Sequence, residues 1–119
     1  MADILIVDDE SSMRFLMRIT FELAGHDVAE AADGVAAIER VEGEHVPDLV
    51  ATDFMMPRMN GGELIERLRR NPASAAIPII LVSASPSSER RTEADAFFRK
   101  PFDPDALTQC AAQLLEKSS

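Results

Sequence analysis

Five polar residues stand where short apolar runs end: Asp8 and Asp9 after "DILIV", Asp53 after "LVAT", Ser83 in "IILVS" and Lys100 after "AFFR". Ligands of an open parallel sheet bind outside the carboxyl ends of its strands, so neighbouring strands would bring these residues to one pocket. Crowded carboxylates repel one another, and a hard divalent cation is the usual remedy. Mg2+ typically takes one or two carboxylates and completes its octahedron with water and phosphate oxygens. A lysine and a hydroxyl at adjacent strand ends add donors for those oxygens. The chemistry such a set can perform is phosphate chemistry on a carboxylate.

The elements that must position these residues follow from periodicity. Residues 3–9, "DILIVDD", form an apolar run ending in charge, as a strand buried on both faces does. Ser11 or Ser12 is then expected to cap a helix with Met13, Leu16, Met17 and Leu23 at helical spacing and Gly25 as its stop. A weakly alternating strand within 27–34 leads to an Asp33–Gly34 turn and a short helix with Val35, Ile38 and Val41 on one face. Residues 48–52 predict a strand ending at Asp53, and a loop holding Pro57, Asn60, Gly61 and Gly62 follows. The next helix carries Leu64, Ile65 and Leu68 on one face, with Glu63–Arg67 and Glu66–Arg70 as i, i+4 pairs, and stops before Pro72. Strands are expected at 77–83 and 96–100. In the final helix Asp103 is the cap, Pro104 opens the first turn, and Leu107, Cys110, Ala111, Leu114 and Leu115 make the apolar stripe. Alternating strands and helices on short connections imply an α/β doubly wound domain with a parallel sheet and helices on both faces. Between the last two strands, residues 85–94 hold no Leu, Ile, Val, Met or Phe, so the fourth helix is expected to be short or disordered.

Composition narrows the function. The 119 residues carry a net charge of −9 and fit one domain spanning 1–119. Without a Lys/Arg cluster, Trp or Tyr, direct nucleic-acid binding is disfavoured. The apolar runs are far shorter than the roughly 20 residues of a membrane span, and the amino terminus does not resemble a secretory signal. A single cysteine, Cys110, excludes a disulfide framework and points to a reducing, cytoplasmic setting. On its apolar stripe Cys110 reads as an inert thiol. Met55, Met56 and Met59 read as packing and loop residues, because thioethers suit soft metals. His26 and His45 are expected at the surface.

"ILIVDDE", "DFMMPRMNGGEL", "ILVSA" and "FFRKPF", in that order along the whole chain, resemble the receiver domain of two-component response regulators, chiefly its single-domain chemotaxis members. The resemblance implies a five-stranded flavodoxin-like sheet of order 2-1-3-4-5. It further implies Asp53 as phosphoryl acceptor, Mg2+ held by Asp8, Asp9, Asp53 and the Met55 backbone carbonyl, and Ser83 and Lys100 as partners of phosphoryl oxygens. Lys100–Pro101 would be cis. Ser83 and Phe97 would form the switch; Phe97 reads equally as plain core, and without a hydroxyl its two states would differ through packing alone. The implied activity is Mg2+-dependent self-phosphorylation and self-dephosphorylation, with no other enzymatic reaction. A histidine kinase or histidine phosphotransfer protein would be the donor and a downstream protein the target. With no output domain in the chain, a stand-alone regulator is expected, with a phosphate sink or an unphosphorylated pseudo-receiver binding module as alternatives. A phosphatase fits poorly, since Met55 stands where such hydrolases resemble one another in carrying a second Asp. A nucleotide carrier fits poorly too, because "DDESS" is no Gly-rich phosphate cradle.

Overall fold

A strand apolar on both faces needs cover on both, and the chain supplies it. The structure, a computed structural model, describes residues 2–43, 45–84 and 92–118. Five strands, β1 (Asp3–Val7), β2 (Asp27–Ala31), β3 (Leu49–Thr52), β4 (Ile79–Ser83) and β5 (Ala96–Arg99), form one sheet of order β2-β1-β3-β4-β5. Every pairing is parallel, with Val7 beside both Ala31 and Thr52, and Ser83 beside Arg99. The helices are α1 (Ser11–Leu23), α2 (Gly34–Val41), α3 (Gly61–Arg70) and α4 (Pro104–Ser118). Because side chains alternate along a strand, Leu5, Val7, Val50, Ile79 and Leu81 pack with Ala37, Ile38, Val41, Leu64, Ile65 and Leu68 from α2 and α3. Ile4, Ile6, Leu49, Ala51, Ile80 and Val82 face the other way, onto Met17 and Phe21 of α1 and Leu107 and Ala111 of α4. The expected doubly wound sheet is thus observed, and no helix among the described residues is long and apolar enough to cross a membrane.

Boundaries and faces differ in places from the sequence reading. β1 ends at Val7 rather than Asp9, because Asp8 turns out of the strand and its Oδ1 accepts a hydrogen bond from Glu10 N at 2.9 Å. Glu10, not Ser11 or Ser12, is the N-cap of α1, without a side-chain cap bond. Met17, Thr20 and Phe21 are the buried residues of that helix, whereas Leu16 (46% exposed) and Leu23 (85%) face solvent. Asp33 is the N-cap of α2, accepting from Ala36 N at 2.8 Å. The glycines expected in a loop open α3, where Asn60 and Glu63 form a reciprocal capping box. Glu63 is therefore engaged with Asn60 N, and only the Glu66–Arg70 member of the two expected ion pairs occurs among the described residues. β4 begins at Ile79, after a turn closed by Ile77 N on the Ser74 carbonyl. Asp103 does cap α4, accepting from Asp105 N at 3.1 Å. The expectation for 85–94 lies outside the described residues as far as residue 91, and 92–94 are not helical.

Besides the packing of Ala96, Phe97 and Phe98, polar contacts tie the approach to β5 to the sheet. Asp95 N donates to the Ile79 carbonyl at 2.8 Å, and Asp95 Oδ2 accepts from Ile79 N and from Arg69 Nη2, each at 2.8 Å. Arg69 also donates to the carbonyls of Ala75, Ile77 and Glu93, tying the end of α3 to the approaches of β4 and β5. Lys100 follows directly.

Candidate functional site

The register of the sheet turns separate sequence motifs into one pocket. Asp53 N donates to the Val7 carbonyl at 2.8 Å, so the end of β3 lies against the end of β1, and Lys100 N donates to the Ser83 carbonyl at 2.9 Å across the β4–β5 ends. The Lys100–Pro101 peptide is cis, as the resemblance implies. The carboxylates of Asp8, Asp9 and Asp53 each place an oxygen within 4.8 Å of the others. Lys100 Nζ stands 2.9 Å from Asp8 Oδ2 and 3.3 Å from Asp53 Oδ1. Asp8, Asp53 and Ser83 are buried, while Asp9 is exposed at the rim.

One ammonium shared by two buried carboxylates leaves negative charge uncompensated. Burial, and then the neighbouring Asp8 charge, push the Asp53 carboxyl above its ordinary range against the pull of Lys100. Burial pulls the Lys100 ammonium down, but its hydrogen bond to Asp8 and the Asp53 charge outweigh that and hold it above its ordinary value. A compact all-oxygen donor set with surplus negative charge fits a hard divalent cation. Met55 is 66% exposed, and its thioether is a soft donor that does not match this hard-oxygen set.

The loop after Asp53 is held by close packing. Gly61 N donates to the Phe54 carbonyl at 2.7 Å, and a Cβ on Gly61 would lie 2.3 Å from the Asp53 carbonyl oxygen. Arg58 has φ +67° and pairs with Asp33, linking this loop to the cap of α2. Sequence reasoning passed over Gly61 as a loop marker, although Asn60-Gly-Gly-Glu63 carries a readable capping signal. It also passed over Arg14, which donates to the Asp8 carbonyl, and Glu30, which receives Arg14; no local signal marks that pair.

The remaining candidates fall as follows. Phe97 is half-buried and packs against the α2/α3 side of the core. Cys110 is half-buried on the α4 stripe, with its thiol pKa raised by burial. His45 is exposed as expected, but His26 is partly buried: it stacks edge-on with Phe21 and accepts from Ala2 N at Nδ1.

A five-stranded parallel α/β sheet with an acidic, lysine-bearing cluster at its carboxyl edge is the flavodoxin-like class of domain. Residues 4–112 match the response regulator receiver domain, and the chain belongs to that family. Receiver domains of this family are phosphorylated signalling modules. Among curated proteins, the chain is 32% identical over 123 residues to the DNA-binding dual master transcriptional regulator RpaA of Synechocystis sp., covering 99% of this chain and 51% of that protein. It is 33% identical to the phosphate regulon transcriptional regulatory protein PhoB of Pseudomonas aeruginosa, covering 97% and 52%. The chain spans about half the length of these relatives. A response regulator structure from Chloroflexus aurantiacus superposes with a TM-score of 0.92 at 26% identity, covering 97% of this chain and 98% of that one. The chemotaxis protein CheY4 of Vibrio cholerae superposes with a TM-score of 0.87 at 29% identity, covering 96% and 98%.

Proposed function

We propose that the chain accepts a phosphoryl group on Asp53 from a phosphohistidine of a histidine kinase or phosphotransfer protein, and signals by contact with a downstream protein. The observation that carries this reading is the convergence of Asp8, Asp9 and Asp53 within 4.8 Å of one another, with the Lys100 ammonium paired to Asp8 and Asp53. Asp8, Asp9, Asp53 and the Met55 carbonyl would hold Mg2+, which would supply neutralisation of negative charge during transfer.

The chain's own residues do the rest. An Asp53 carboxylate oxygen attacks phosphorus in line; the P–N bond of the donor breaks and its electron pair leaves with the imidazole. Lys100 and Ser83 donate to equatorial phosphoryl oxygens, where negative charge concentrates during transfer. Asp8 holds Lys100 beside the acceptor until the phosphoryl group competes for it. Water later hydrolyses the aspartyl phosphate. Ser83 moving toward the new phosphoryl group and Phe97 repacking constitute the switch.

The stand-alone form is part of this proposal; intact mass of the protein isolated from its source tests it. A cytoplasmic setting is supported by the lone, partly buried thiol. Intact-mass spectrometry after incubation with a small-molecule phosphodonor and Mg2+ tests the chemistry. One phosphoryl adduct is expected, absent in Asp53→Asn and after chelation, with Asp9→Ala needing far more Mg2+. An adduct surviving in Asp53→Asn overturns the acceptor assignment.

A further inference from the structure

Arg14, on α1, contacts the backbone of the acidic pair. Its side chain is 19% exposed, Nη1 donates to the Asp8 carbonyl oxygen at 2.7 Å, and Nε donates to Glu30 Oε1 at 3.2 Å. That carbonyl belongs to the peptide linking Asp8 to Asp9. The Asp8 carboxylate is held independently, by Glu10 N on Oδ1 and Lys100 on Oδ2. The Asp9 carboxylate has no hydrogen bond or ion pair among the described residues, so the backbone that carries it is the part of Asp9 that the fold holds in place. Arg14, on α1, holds that backbone through its carbonyl oxygen rather than through either carboxylate.

Charge alone argues against a cation here, because a guanidinium beside an acidic ligand pair repels a dication. Glu30 on β2 offsets this, binding Arg14 and Arg18 together, and the Arg18 hydrogen bond holds its carboxyl below the ordinary range. A fixed, neutralised guanidinium can orient a ligand peptide at little electrostatic cost. Groups that orient metal ligands from behind typically govern affinity as strongly as this requires.

We propose that Arg14, itself oriented by Glu30, is a positioning residue that aims Asp9 at the cation, so that Mg2+ affinity depends on a contact outside the pocket. The proposal rests on the Mg2+-site reading above. It makes a prediction opposite in sign to that of charge: removing a cation that acted only by repulsion would tighten Mg2+ binding, whereas removing the grip on the Asp8–Asp9 peptide weakens it.

The test is an amide NMR titration of the whole chain with MgCl2 at constant ionic strength, comparing wild type, Arg14→Met, Arg14→Lys and Glu30→Gln. The spectra report the fold and the affinity together. Arg14→Met is expected to raise the Mg2+ Kd about tenfold. Arg14→Lys, which keeps the charge but cannot bridge both acceptors in the same way, falls between it and wild type. Glu30→Gln also weakens binding, because it leaves Arg14 uncompensated. Binding by a folded Arg14→Met as tight as wild type or tighter overturns the proposal. If Arg14→Met does not fold, Arg14→Lys decides, and a Kd within twofold of wild type overturns it. A wild-type protein without a saturable Mg2+ response at Asp8, Asp9 and Asp53 overturns the site reading and this inference with it.

Discussion

Replacing Gly61 by Ala sets two known effects against each other. Gly61 is the first residue of α3 and does not have a positive φ, so its backbone conformation is open to alanine, which favours a helix interior by up to about 1 kcal/mol over glycine. The space is not open. The added Cβ would lie 2.3 Å from the Asp53 carbonyl oxygen, 2.8 Å from Phe54 Cα and 3.1 Å from the Asp53 carbonyl carbon. All three are backbone atoms, so no side-chain rotation relieves the overlap; α3 or the Asp53–Phe54 segment must move by most of an ångström. That displacement also lengthens the 2.7 Å bond from Gly61 N to the Phe54 carbonyl. Overpacking of this kind costs about 1–3 kcal/mol, which exceeds the propensity gain. We expect Gly61→Ala to lower stability by about 2 kcal/mol in urea melts and to slow formation of the phosphoryl adduct, because the shifted backbone carries Asp53. Gly62→Ala is the control: the atoms nearest its Cβ belong to the Phe54 and Asn60 side chains, at 3.2 and 3.3 Å, a contact that a shift of a few tenths of an ångström relieves. It is expected within about 0.5 kcal/mol of wild type. A Gly61→Ala protein as stable as wild type, with unchanged adduct formation, refutes the reasoning.

Three further perturbations test the electrostatics and packing. Lys100→Ala leaves the buried Asp8 and Asp53 carboxylates facing each other and should cost about 2–4 kcal/mol at neutral pH. Since Asp53 already has a raised folded pKa, this variant should gain stability as pH falls and lose it as pH rises through the raised value; urea melts from pH 4 to 7 that show no such slope contradict the charge argument. Asp33→Ala removes the α2 cap and the Arg58 partner, with an expected loss of about 1 kcal/mol. The Asp33 carboxyl lies below its ordinary 3.8, held first by the Ala36 N–H and then by Arg58, so its contribution is full above that ordinary value and disappears as pH falls through the lower folded one; the gap between Asp33→Ala and wild type should close in acid. Cys110, its thiol pKa raised by burial, should alkylate more slowly than a free cysteine in the native state and at the free rate in urea; equal rates in both states would contradict its packing on α4.

Much of the fold is legible because its signals are local. Strands buried on both faces show as unbroken apolar runs, and the α2, α3 and α4 stripes stand out because polar residues interrupt them. The α1 segment is different. Phe15, Leu16, Met17, Ile19, Phe21 and Leu23 place apolar side chains almost all around the helix, so periodicity identifies a helix without choosing its face. The core accepts Met17 and Phe21 and leaves Phe15, Leu16 and Leu23 outside. The opening of α3 is a different case: Asn60 and Glu63 carry a capping signature in the sequence, yet two adjacent glycines argue for a loop and outweigh it in a local reading.

The site divides along the same line. Asp8, Asp9, Asp53, Ser83 and Lys100 are legible as chemistry because each terminates a strand, and a parallel sheet brings strand ends together whatever the separation in sequence. Those residue types at those ends are a property of the chain alone. What supports them is not. Arg14 reaches Glu30 across 16 residues, Arg58 reaches Asp33 across 25, and Arg69 reaches Asp95 across 26. A charged side chain on a helix or loop reads as a solvated face until another element arrives opposite it. Only the packed sheet and helices select these partners, because a hydrogen bond depends on distances of tenths of an ångström that no spacing in the sequence encodes.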